Sequence, residues 1–173
     1  MVRARELVDR ALASALVVLM AVMVANVLWQ VFTRFVLRSP SSYTEELARY
    51  LLIWTSLLGA AYAAGQKMHL AIDLFSMRMS DETRARTAMF IQGCILLFAL
   101  GVMVVGGVRL VYISFVLQQI SAALRISLGF VYLAVPLSGA LIAFYALASI
   151  VRPRDPLPHP DSVPPPGVVP PPR

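Results

Sequence analysis

A chain of 173 residues with 59% apolar and only 14% charged side chains falls well short of the roughly 25% charge of a soluble domain. Its mean hydropathy of +0.76 marks a polytopic membrane protein. The net charge of +6 does not point to nucleic acid, because the basic residues flank apolar runs and set topology. The single cysteine, Cys94, lies inside an apolar run and excludes an internal disulfide and a cysteine metal site.

Four apolar runs leave no room for a separate soluble domain. Residues 1–10 are short and polar, with Arg3, Arg5 and Arg10, and the first span runs over about 11–36. That run exceeds the ~7–15-residue core of a secretory signal and carries no well-placed small-x-small cleavage site, so it reads as a retained helix. Asn26, Gln30, Thr33 and Arg34 recur at helical spacing and share one face. Either the amides bond neighbouring helices while Arg34 snorkels to the interface, or the face lines an ion or substrate path. Clustering of the polarity at one end favours the first. A specific version pairs Arg34 or Arg38 with Glu45 or Glu46 across the turn that follows.

That turn, Ser39-Pro40-Ser41-Ser42, opens the second helix. Ser42 three residues before Glu45 has the pattern of a capping box, and Glu45 and Glu46 sit where the helix dipole favours negative charge. Arg49 is within helical reach of both. The second span covers about 47–64. Ser56, Ala60 and Ala64 form one small-residue row, and Gly59 and Ala63 form another beside it. Such rows let helices approach closely in lipid. Trp54 lies too deep for an interfacial belt and reads as packing. Gly65 reads as the helix stop.

Residues 65–86 carry Lys67, His69, Asp73, Arg78, Asp81, Glu82, Arg84 and Arg86 among apolar residues, which predicts a segment lying at the membrane surface. Ser80, Asp81 and Glu82 mark a helix start. The third span, about 87–116, is longer than one crossing needs. The fourth, about 128–151, contains Pro136, which removes a backbone donor and predicts a kink. Residues 152–173 hold ten of the twelve prolines and read as an extended or disordered tail. The expected architecture is an all-α integral membrane protein: an N-terminal segment (1–10), a four-helix membrane domain (11–151) and a tail (152–173). Lysines and arginines concentrate on the side of residues 1–10, the middle loop and the start of the tail, which places both termini in the cytoplasm.

The residues offer no enzyme chemistry. His69 and the tail's His159 cannot supply paired haem ligands, and there is no phosphate loop or Cys/His metal spacing; no cofactor is expected. Internal repeats with broken midplane helices, common in stand-alone transporters, are absent.

Several motifs in order carry a family resemblance. They are Gln30-Val31-Phe32-Thr33-Arg34-Phe35-Val36, Tyr43-Thr44-Glu45-Glu46-Leu47-Ala48-Arg49-Tyr50, Gly59, and His69-Leu70 with Asp73. Ser121-Ala122-Ala123-Leu124-Arg125-Ile126, Tyr132 and Pro136-Leu137-Ser138-Gly139 complete the series. Together they resemble the small membrane subunit of TRAP (tripartite ATP-independent periplasmic, DctQ-like) transporters over roughly residues 10–150. Ser127 departs from the family's frequent proline and is expected to loosen the start of the fourth helix.

The resemblance implies a bacterial inner-membrane complex. A large membrane subunit carries an organic acid with coupling ions, usually sodium, and a periplasmic binding protein delivers the substrate. The small subunit is expected to brace the large one. Within that frame Arg34, Glu45, Glu46 and Arg49 are expected to order the periplasmic edge, and His69 and Asp73 the cytoplasmic loop. Two rivals stand beside this reading. One is a different membrane assembly adaptor. The other is a self-assembling channel or small transporter lined by Asn26, Gln30 and Arg34.

Overall fold

The computed structural model describes residues 2–38, 41–67 and 81–151. Their elements are α1 (Val2–Phe35), α2 (Ser42–Lys67), α3 (Asp81–Phe98), a π-helical stretch (Ala99–Gly106), α4 (Gly107–Val116), α5 (Leu128–Tyr132) and α6 (Ala134–Val151). Four rods are long and apolar enough to cross a membrane: Arg5–Phe35, Ser42–Gln66, Met89–Val116 and Leu128–Ile150. The all-helical, four-span expectation therefore holds for the described residues. His69, Asp73, the surface segment around them and the proline-rich tail lie outside those residues.

The spans pack in the order first, second, fourth, third. On α1 the less exposed side follows Leu12, Leu16, Leu19, Met23, Asn26, Gln30 and Thr33, alternating steps of four and three. That 3.5-residue period is the narrow seam of a coiled coil, and it faces α2. Leu12, Leu58, Ala61 and Tyr145 meet in a buried cluster, with Trp54, Leu16 and Tyr62 packed against it. Trp54 thus has the packing role expected of it.

The two small-residue rows on α2 differ in exposure: Gly59 and Ala63 are half-buried, as is Ala64 at the end of the other row. A side chain at Gly59 would touch Leu16 at 3.9 Å, whereas Ser56 and Ala60 are exposed, in line with Glu45, Arg49 and Leu52. The closest approach is at Gly65, where a Cβ would fall 2.9 Å from the Tyr145 ring. Gly65 is not the helix stop that its type suggests, since α2 continues to Lys67. Glycine stands there because the Tyr145 ring occupies the space of a side chain.

The fourth span is the hub, with 44% of its apolar window buried against 11% in each of the other three. Two glycine contacts set it against the third. A Cβ at Gly139 would fall 2.5 Å from Met103 Cβ, and one at Gly107 2.8 Å from Pro136 Cδ. Pro136 also interrupts its own span. With no N–H it leaves the Tyr132 carbonyl without the usual donor, and the helix breaks at Leu133, between α5 and α6. The amide of Leu133 bonds to the Gly129 carbonyl at 3.1 Å, and that of Leu137 to the Leu133 carbonyl at 3.2 Å.

These contacts predict opposite outcomes at two glycines. Gly65→Val must displace Tyr145 and is expected to destabilise the fold by about 1–3 kcal/mol. Gly101→Ala meets nothing within 4 Å and should leave stability unchanged. Thermal melting of the purified variants in detergent checks both; equal melting temperatures would contradict the close approach at Gly65.

Candidate functional site

The charged side chains among the described residues gather at the two ends of the membrane domain, whereas the polar Thr55, Gln92 and Ser138 lie within the spans. At one end α2 begins at Ser42, and the Thr44 hydroxyl donates to the Ser41 carbonyl at 2.8 Å. One turn on, Glu46 projects towards the link between the third and fourth spans. Its Oε1 accepts from the Tyr50 hydroxyl at 2.6 Å. Its Oε2 accepts from the backbone amides of Ala123 at 2.8 Å and Leu124 at 3.0 Å. Both carboxylate oxygens are therefore occupied, and charge-assisted bonds of this kind are the stronger class.

The link that Glu46 holds is a tight hairpin. The Ser121 amide donates to the Ile126 carbonyl and the Leu128 amide to the Gln119 carbonyl, each at 2.9 Å, which closes a single antiparallel bridge between Ile120 and Ser127. Ser121 is buried, and its hydroxyl accepts from the Leu124 amide at 3.3 Å. Ser127 does not loosen the start of the fourth span as expected. It is the N-cap of α5, accepting from the Gly129 amide, and its φ of −67° is one that proline would also adopt.

Neither carboxylate meets Arg34 or Arg38, which corrects the pairing expected across the turn. Glu45 bonds to Arg49 at 3.0 Å, with side chains 61% and 68% exposed, so water and salt screen most of that attraction. This pairing also takes the Glu45 carboxylate to Arg49, not back to the start of α2 as a capping box requires. Arg34 and Arg38 are exposed. Asn26 instead donates to the Thr44 carbonyl at 2.8 Å, and Thr33 donates to the Gln30 carbonyl at 3.0 Å. The polar face of α1 thus lies on the seam with α2, where its amide joins helices; a path lined by Asn26 and Gln30 would need that seam open.

The opposite end holds a second polar junction that sequence reasoning missed. Arg5 donates to the Gly65 carbonyl at 2.7 Å and lies 4.0 Å from Asp9. Its guanidinium also sits 5.7 Å from the centre of the Tyr145 ring. The Tyr145 hydroxyl donates to Asp9. Three spans meet in these contacts. The available signal was Arg5 and Asp9 four residues apart at the head of an apolar helix, but nothing local names Tyr145, 136 positions on.

Of the remaining expected residues, Gly59 packs on Leu16 and Pro136 packs on Gly107. What these side chains provide is attachment between helices.

Residues 23–155 match the DctQ component of tripartite ATP-independent periplasmic transporters, a region that contains Asn26, Glu46 and the hairpin but not Arg5 or Asp9. Over 132 residues the chain is 30% identical to the sialic acid TRAP transporter small permease protein SiaQ of Vibrio cholerae serotype O1, covering 76% of this chain and 75% of that one. Over 73 residues it is 34% identical to the sialic acid TRAP transporter permease protein SiaT of Haemophilus influenzae. That stretch is 40% of this chain and 12% of SiaT.

Loss of the Glu46 carboxylate should free the hairpin. In Glu46→Ala the Ala123 and Leu124 amides are expected to exchange with solvent about tenfold faster or more, while Tyr50→Phe has a smaller effect and Glu45→Ala none. Hydrogen-exchange mass spectrometry of the 117–128 segment reads this directly, and unchanged protection in Glu46→Ala would contradict the contact.

Proposed function

The chain belongs to the DctQ component family of tripartite ATP-independent periplasmic transporters, and from that membership we propose that it braces the large permease subunit of such a transporter and moves no substrate itself. The observation that carries this reading is where the polar groups lie. Asn26, Glu46, Arg5, Asp9 and Tyr145 bond helix to helix within the chain, and a transport path needs polar groups that face a cavity. The first three spans each bury only 11% of their apolar windows inside the chain. They leave long apolar sides for lipid and for a larger partner.

The SiaT permease supports the identity of that partner, because the matching stretch is 12% of a far longer permease chain. The proposed transporter takes up an organic acid, the class to which the sialic acid of both relatives' names belongs. Coupling to sodium and delivery by a periplasmic binding protein complete the proposal. The concentration of lysine and arginine at the Arg5 end and in the middle loop supports cytoplasmic termini, with Glu46 and its hairpin on the periplasmic side of a bacterial inner membrane.

Reconstitution into liposomes separates a brace from a carrier. With a sodium gradient and the binding protein supplied, uptake is expected when this chain and the large permease are both present, most of it lost without this chain. This chain alone should give none. Uptake or ion flux through the chain alone would overturn the proposal.

A further inference from the structure

The third span carries one residue more than a regular helix would use. Its buried residues after Met89 are Gln92, Ala99, Gly107 and Ser114, at intervals of seven, eight and seven. Seven residues of α-helix bring a side chain back to within about 20° of its starting direction. Eight overshoot by about 80°. The wider turns of the π-helical stretch, Ala99–Gly106, absorb that surplus and keep all four residues on one side. The fourth span has its own irregularity at the same level. A Cβ at Gly107 would fall 2.8 Å from Pro136 Cδ, and the break at Leu133 is less than one turn from Pro136. Helices bend sharply at π turns and prolines. A regular helix alongside either one would splint it, but here the two irregularities stand side by side.

Beyond this level, residues 107–132 hold together as one piece. The Phe115 and Phe130 rings meet edge-on at 5.4 Å, and a Cβ at Gly129 would fall 2.6 Å from the Phe115 ring. The Gln119 amide donates to the Ser114 carbonyl at 3.0 Å, and the Ile120–Ser127 bridge closes the tip. The second span holds this piece at its far end, where the Ala123 and Leu124 amides donate to Glu46.

We infer that residues 107–132 form an arm hinged at the π-helical stretch and at Leu133, with Glu46 as the latch that holds it to the second span. Opening breaks the two charge-assisted bonds at the tip and changes the bend at two points that are already irregular. The bond to Ala123 lies at the surface, where water can take its place. The ring contacts and the bridge within the arm stay as they are, so the arm moves as a rigid body.

Spin-label distances in the full chain, held in phosphatidylcholine nanodiscs, test the hinge and the latch separately. Cys94→Ser removes the one native thiol. Labels at Leu117→Cys on the arm and Gln66→Cys at the far end of the second span report the arm's position. Labels at Leu28→Cys and Gln66→Cys report the rest of the bundle; all three sites are exposed. With Glu46 in place the arm should give a single narrow distance. Glu46→Ala should add a second population shifted by about 5 Å or more, with the bundle distance unchanged. Gly101 is exposed, with nothing within 4 Å of a Cβ placed there, and its deletion restores intervals of seven along the third span. Combined with Glu46→Ala, that deletion should return the arm to one distance. An unchanged arm distance in Glu46→Ala would overturn the inference. So would a change in both distances, since the motion would then not be confined to the arm. Two populations persisting after the Gly101 deletion would overturn the hinge at the π-helical stretch.

Discussion

Helices in hydrocarbon gain little by hiding apolar surface from one another, because the lipid is as apolar as they are. What fixes their arrangement is close packing and the few polar groups that must find partners. The Glu46 carboxylate is the strongest of these constraints. It joins the second span to backbone amides that lie 77 and 78 residues further along the chain. It thereby sets the link between the third and fourth spans against the start of the second. Asn26 adds the first span to the same end through the Thr44 carbonyl.

The other end repeats the device with different residues. Arg5, Asp9 and Tyr145 join the first, second and fourth spans around the Gly65 carbonyl. Gly65 admits the Tyr145 ring at that end, and between the two ends Gly107 and Gly139 let the last two spans approach. The fourth span stands at the centre of this arrangement. The outer sides of the first and third carry residues such as Leu28, Phe90 and Leu97, all well exposed. A frame tied at both ends, with broad apolar sides left over, is suited to supporting a larger membrane protein.

Local signals made the frame legible. The four apolar runs and the break caused by Pro136 follow from residues near in sequence. The polar face of α1 was legible as a bonding face, and Asn26 shows it bonded. The partners were not legible, because they are set by folding. Glu45 and Glu46 stand side by side, yet only Glu46 projects towards the hairpin. A reading confined to nearby charges therefore chose Arg34 or Arg38. Gly65 has the residue type of a helix stop, and only the Tyr145 ring against it explains why the helix continues. Ser127 was expected to loosen the fourth span, yet it caps α5 at a φ that proline would also adopt.

The central claim is that this chain acts only as part of a larger membrane assembly. The most direct measurement is purification of the tagged protein from its native membrane in mild detergent, with mass spectrometry of everything that travels with it. The account predicts co-purification of a large multi-span permease in fixed proportion. Recovery of this chain alone, as a stable homo-oligomer, would contradict it.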